Sequence, residues 1–211
     1  VLVMTVDQIG SRRVGDRVDD LLETLAQHLA REPGRRPVRA FERTVGDEVQ
    51  AVLDDAVLVV ELSAAILRTG GWSVGIGAGP VVEPLPASSR AGSGDAFVLA
   101  RAAVERAKTR PGGVAVAVVG SDPVPAADAE AVLTLLGAVA SRRTAAGWQV
   151  IDAVRDAGAG ARQGEVARRL GVTQQAVSQR LRTALWAEEL AARPLAARLL
   201  RAAEGTRVLG A

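Results

Sequence analysis

Cysteine and tyrosine are absent from this 211-residue chain, and lysine occurs once, at Lys108. Without cysteine there is neither a disulfide framework nor a thiolate zinc site. Aromatic residues make up only 2% of the chain, so its core has to be built from Val, Leu, Ile and Ala. No window approaches roughly twenty uncharged apolar residues, and no membrane partner is expected. Val1 to Gly10 is apolar but has no basic flank and no A-x-A-like cleavage site, a poor match to a signal peptide. The expected location is cytoplasmic.

What is present is a globular composition with an uneven charge. The net charge of +2 conceals a −2 balance over residues 1–125, with 14 basic and 16 acidic side chains, and a +4 balance over 126–211, with 12 and 8. Residues 142–182 carry 8 arginines against 3 acids, which is where a polyanion is expected to land.

Hydrophobic spacing divides the chain in two. Val1 to Val6 reads as a buried strand, and Val14 to Ala30 as an amphipathic helix stopped by Pro33-Gly34. Val38 to Thr44 and Glu48 to Leu53 read as a hairpin about Val45-Gly46-Asp47, and Asp54 or Asp55 caps a second helix closed by Gly70-Gly71. Trp72 to Ala78 is a further strand, and residues 80–94 a loop. Asp95 is placed to cap a third helix running to about Lys108, ended by Pro111-Gly112-Gly113 before a strand from Val114 to Val119. The order β-α-β-β-α-β predicts an α+β, ferredoxin-like or palm domain over residues 1–122. Gly120 to Pro125 marks a boundary, and residues 126–211 read as a helical domain with candidate helices at Ala127 to Ser141, Gln149 to Ala157 and Leu185 to Ala203, the last broken or kinked at Pro194.

Asp7 and Asp47 each stand beside a glycine at the edge of an apolar run. In a β-α-β-β arrangement the end of the first strand lies next to the following hairpin, so the two carboxylates are expected to converge as a site for a divalent cation, Mg²⁺, with bare N–H groups nearby for phosphate. Each aspartate alone is also ordinary turn chemistry.

Val6-Asp7-Gln8-Ile9-Gly10-Ser11 resembles the first metal-binding strand of class III nucleotide cyclases, and Val45-Gly46-Asp47-Glu48-Val49 resembles both their hairpin and the turn of GGDEF diguanylate cyclases. With Gly75-Ile76-Gly77 and Gly94-Asp95-Ala96-Phe97 leading into Ala100-Arg101, the order and spacing are most similar to the SatD family over roughly residues 1–120. The resemblance implies Asp7 and Asp47 as metal ligands, and Gly10, Ser11, Gly46, Glu48, Arg101 and Lys108 around a nucleotide. It also implies a depleted catalytic set. Phe97 stands where cyclases keep an asparagine four residues before the transition-state arginine, and Gly112 where diguanylate cyclases keep an arginine beyond the helix lysine. The lone His28 falls on the polar side of its helix, where surface placement is expected.

Residues 163–182 show a helix-turn-helix pattern. Val166, Leu170, Val172, Val177 and Leu181 form an inward face, with Gly171 at the turn and Thr173, Gln174, Gln175, Ser178, Gln179 and Arg182 outward. The glutamines suit base edges, and Arg168, Arg169, Arg180 and Arg182 suit phosphate or guanine. The function expected is a homodimeric transcription regulator that binds double-stranded DNA and is modulated by a nucleotide. The alternative is a Mg²⁺-dependent nucleotidyl cyclase or transferase with a DNA-binding tail.

Overall fold

The computed structural model describes residues 1–32, 34–110, 113–158, 160 and 162–205. The chain is an α+β protein with a five-stranded mixed sheet. Strands β1 (Leu2–Gln8), β2 (Arg39–Arg43), β3 (Glu48–Leu53), β4 (Trp72–Ala78) and β5 (Val116–Gly120) stand in the order β2-β3-β1-β4-β5. All neighbours are antiparallel except β5, which runs parallel to β4. Strand β1 runs on through Gln8, two residues beyond the expected end at Val6, so Asp7 lies inside the ladder.

Between β1 and β2 the expected single helix is two. The short α1 (Ser11–Val14) and the longer α2 (Val18–Ala30) are separated at Gly15, whose φ of 82° breaks the helix, and Asp16 Oδ1 accepts the Val18 N–H at the restart. Buried Gln8 pins this corner by donating to the Gly15 carbonyl and accepting from the Arg17 N–H. Helix α3 (Ala56–Thr69) starts at Asp55, which accepts from Val57 and Leu58 N–H, and stops at Gly70. Helix α4 (Asp95–Lys108) is entered through Gly94 with no side-chain cap, so Asp95 sits in its first turn and does not cap it. Pro33, Pro111 and Gly112, expected as helix stops, lie outside the described residues.

Strand alternation splits the sheet into two faces. Leu2, Met4 and Val6, with Ala51, Leu53, Val74 and Ile76, build the main core under α2 and α3. The opposite face is covered by α4, which rides directly over β4. A methyl group on Gly75 would come within 2.7 Å of the Ala100 carbonyl oxygen, so only glycine admits the helix this closely.

Helix α5 (Pro123–Ser141) begins on Pro123 after Asp122 accepts the Val124 N–H, inside the expected boundary and four residues before the expected start at Ala127. It has the length and composition to cross a membrane, with a mean hydropathy of 1.4. In this structure Ala126, Ala129 and Leu133 pack into the sheet core. Helix α9 (Trp186–Ala203) joins the same core through Ala196, Ala197, Leu200 and Ala203, and stays helical through Pro194. Helices α6 (Ala145–Ala157), α7 (Gln163–Leu170) and α8 (Gln174–Thr183) form a separate small core of Val150, Ala153, Val166, Ala167 and Val177. The expected α6 start moves upstream because Thr144 accepts the Gly147 N–H and caps it.

Candidate functional site

On the α4 side of the sheet, Asp7 lies opposite Glu48 on β3 and Ser73 on β4, while Thr5 lies opposite Gln50 and Gly75. Directly paired residues share a face. One polar row, Ser73-Asp7-Glu48, therefore ends the sheet where β1 leaves it. Asp47 is held beside this row because its carbonyl accepts the Gln8 N–H at 3.3 Å. The turn is made by Gly46 with φ 63°. Thr44 Oγ1 donates to Glu48 Oε1 at 2.6 Å and fixes that carboxylate.

Helix α4 brings the cations. Lys108 Nζ is 2.8 Å from Asp7 Oδ2 and also pairs with Glu105, and Arg101 lies 3.7 Å from Glu48 Oε1. Burial pushes the Asp7 carboxyl up, assisted by Asp47 and Glu48, and outweighs the opposing pull of Lys108. Burial works against the Lys108 charge as well, but hydrogen bonds to Asp7 and Glu105 prevail and hold it above its ordinary range. Four expected side chains thus meet, those of Asp7, Glu48, Arg101 and Lys108, with Asp47 near enough for its charge to act on Asp7.

Gly10 and Ser11 follow at the same end. Gly10 has φ 71° and Ser11 opens α1; the Gly10 carbonyl accepts the Arg13 and Val14 N–H groups, which leaves those of Ser11 and Arg12 without an intrahelical acceptor. Phe97 lays its ring on Gly92 and lines a groove together with Gln50, Arg90, Arg101 and Glu105. Gly112, the position of the missing second cation, lies outside the described residues.

Among the described residues no cluster of three acidic or imidazole side chains forms a closed metal cage. The donors present fit another mode, in which Mg²⁺ is held by one or two carboxylates and otherwise by phosphate and water. In that mode Asp7 and Asp47 would be the carboxylates. The hydroxyls of Thr5 and Ser73 are buried on the same face without a hydrogen-bond partner among the described residues, so the floor is polar and unsatisfied.

In the helical part, α7 ends at Gly171 with φ 63°, and α8 starts after Thr173. Val166, Val172, Val177, Leu170 and Leu181 all pack inward. Gln174, Gln175, Gln179, Arg168, Arg169 and Arg182 are exposed, and Ser178 is half-buried. Thr173 is exposed, but its hydroxyl accepts the Ala176 N–H and so caps α8. Arg169 is 3.2 Å from Asp156, which also faces Arg31.

Comparison of the chain with protein-family models, curated proteins and solved structures gave no match.

A second polar centre joins the two parts and was not anticipated. Arg143 and Glu189 are both nearly fully buried and lie 2.5 Å apart, and Arg193 grips the same carboxylate. Trp148 carries Arg68 at 4.0 Å and Arg143 at 4.8 Å over its ring, and Trp186 carries Arg155 at 4.8 Å. Burial, with Arg193 nearby, pushes Arg155 down to about 10. The signal available was the placement of Trp148 and Trp186, two of only three tryptophans, in an arginine-rich segment.

His28 is half-buried beside this junction. Its Nε2 is buried without a hydrogen-bond partner among the described residues, and it senses Arg155, Glu32, Arg193 and Arg31. Burial, seconded by Arg155, lowers it from 6.5, so the folded chain keeps it neutral while the unfolded chain takes up the proton first. Stability is therefore expected to fall as pH drops below about 6.5. Urea midpoints of the parent and His28→Leu between about pH 5 and 8 test this, since the variant should lose that part of the slope.

Proposed function

We propose that this chain is a DNA-binding transcription regulator. In this reading a ferredoxin-like, palm-type sheet unit binds a nucleotide with Mg²⁺, and α6 to α8 form a helix-turn-helix unit that reads a duplex from within a homodimer. The strand order β2-β3-β1-β4, antiparallel throughout, supports the palm reading. The observation that carries the function is the split of α7 and α8 into a buried apolar side and an exposed side of glutamines and arginines. Uncharged amide side chains on an exposed helix suit base edges better than a protein interface, whose core favours apolar anchors.

At the sheet end, Asp7 and Asp47 would hold the metal, which neutralises phosphate charge when bound. Lys108 would leave Asp7 for a phosphate oxygen, and Arg101 would trade Glu48 for another. Gly10 and Ser11 would offer backbone N–H groups. Glu48, fixed by Thr44, would hold Arg101 until a phosphate oxygen takes its place.

Exchanging Asp7→Asn against Arg182→Ala tests both halves. Calorimetric titration with ATP, GTP and cyclic dinucleotides in Mg²⁺ should lose its heat in Asp7→Asn and keep it in Arg182→Ala. Duplex affinity should show the reverse, falling about tenfold or more in Arg182→Ala. Identical isotherms for all three proteins would sink the proposal. Lys108 beside Asp7 favours one further reading, a Mg²⁺-dependent nucleotidyl cyclase or transferase, and release of pyrophosphate from an NTP would establish it in place of a sensor.

A further inference from the structure

Between the start of α6 and the C-terminal half of α8 lies a cleft of about 270 Å³, lined among others by Arg142, Thr144, Gly147, Gln179, Arg180 and Thr183. None of its lining residues is acidic. Arg143, Arg169 and Arg193 are committed to carboxylates, whereas Arg142 and Arg180 have no acidic partner among the described residues. Arg143 contributes to the wall, but its guanidinium turns inward onto Glu189 and the tryptophans. Two uncompensated guanidinium groups and two hydroxyl-bearing side chains therefore line a cleft with room for a tetrahedral anion.

The cleft is not isolated from the exposed side of α8. Gln179 belongs to both, so a polyanion lying along Gln174, Gln175 and Gln179 passes the mouth. At the other end of the pair, Arg168 and Arg169 close α7 just before the turn into α8. Helix α8 has ten residues and is thus about 15 Å long. That matches the major groove, about 12 Å wide between its phosphate walls.

We propose that this cleft seats a backbone phosphate of duplex DNA, a second anchor beyond the candidate contacts on α7 and the outward side of α8. The inference rests on the DNA-binding reading and deepens it, because it sets which flank of α8 meets the second wall of the groove. Arg142 and Arg180 neutralise the phosphate, and the Thr144 and Thr183 side chains border it. A phosphate contact positions the helix and carries no sequence information of its own.

The test uses the full chain and a fluorescein-labelled duplex of random sequence, so no operator is needed. Anisotropy titrations from about 50 to 200 mM salt give the slope of log affinity against log salt, which becomes shallower by ~1 for each phosphate that is no longer neutralised. Arg142→Gln and Arg180→Gln should each lower the slope, and the pair by about 1 in all because both neutralise the same phosphate, with relative affinity among several duplexes unchanged. Arg142 and Arg201 are exposed, so Arg142→Gln spares the core and Arg201→Gln serves as the charge control that keeps the parent slope. Variants that retain the parent slope overturn the cleft alone. A change in preference among duplexes at constant slope also overturns it, since that is base contact. A parent chain with no salt-dependent duplex binding overturns the regulator reading and the cleft with it.

Discussion

Glu189→Ala is expected to cost about 3–5 kcal/mol of folding free energy, because it strands a buried guanidinium with no counter-charge. Glu189 is 4% exposed and Arg143 1%, so water cannot take over the missing pairing. The loss reaches further than one pair. Arg193 grips the same carboxylate, and Arg155, already pushed down to about 10 by burial and by Arg193, would lose an acid that now opposes that shift. Against a total stability of roughly 5–15 kcal/mol, a loss of this size populates unfolded chain near physiological temperature. Urea unfolding at neutral pH measures it. The charge account requires more of the same experiment: Arg143→Met and Arg193→Met combined with Glu189→Leu should recover a large part of the loss, since all three charges leave together. A triple variant as unstable as Glu189→Ala would mean that shape, and not charge, holds the junction.

That junction matters because α9 is the physical link between the two parts. Its first turns carry Trp186 and Glu189 against α6, and its last turns carry Leu200 and Ala203 into the sheet core. The helix spans 18 residues, about 27 Å, so it runs from one centre to the other without a flexible joint. Pro194 removes one backbone bond midway, and the packing on both sides keeps the helix whole. Arg68 of α3 adds a direct bridge by stacking on Trp148 and pairing with Asp152, both on α6.

Local patterns in the sequence predicted local structure well. The strand read over Trp72 to Ala78 and the inward face of Val166, Leu170, Val177 and Leu181 each concern a single element or a close pair of them, and each lies where the pattern puts it. The convergence of Asp7 with the hairpin follows from strand order, which the β-α-β-β sequence constrains strongly. Contacts between distant segments were not legible in the same way. Nothing in the spacing of α5 and α9 says that both return to the sheet, because a helix with apolar residues on more than one side packs equally well in a bundle. His28 was misplaced for the same reason. Its position on α2 looks polar locally, and only the arrival of α6 and α9 buries its Nε2. The Gly15 break was missed because Val14 and Val18 keep helical spacing across it.

Gly77→Ala is the sharpest test of how the sheet positions α4, and through it the cations of the candidate site. A methyl group on Gly77 would stand 2.8 Å from the Ala100 Cα and closer still to the Ala96 carbonyl oxygen and the Ala100 nitrogen, all backbone atoms that no rotamer change can move aside. The helix must lift or tilt, at a cost of about 1–3 kcal/mol for overpacking. Lys108 sits at the far end of the same helix, so its 2.8 Å contact with Asp7 should open as well. Gly164→Ala supplies the matched control. Gly164 lies in α7, and the nearest atom to an added methyl there is 3.9 Å away, so the same change should leave stability unaltered or raise it by up to about 1 kcal/mol. Opposite signs in the two denaturation midpoints, with weaker nucleotide binding only in Gly77→Ala, are the expected result. Equal midpoints would mean that α4 tolerates a wider seat on β4 and that the glycines are not what brings Lys108 to Asp7.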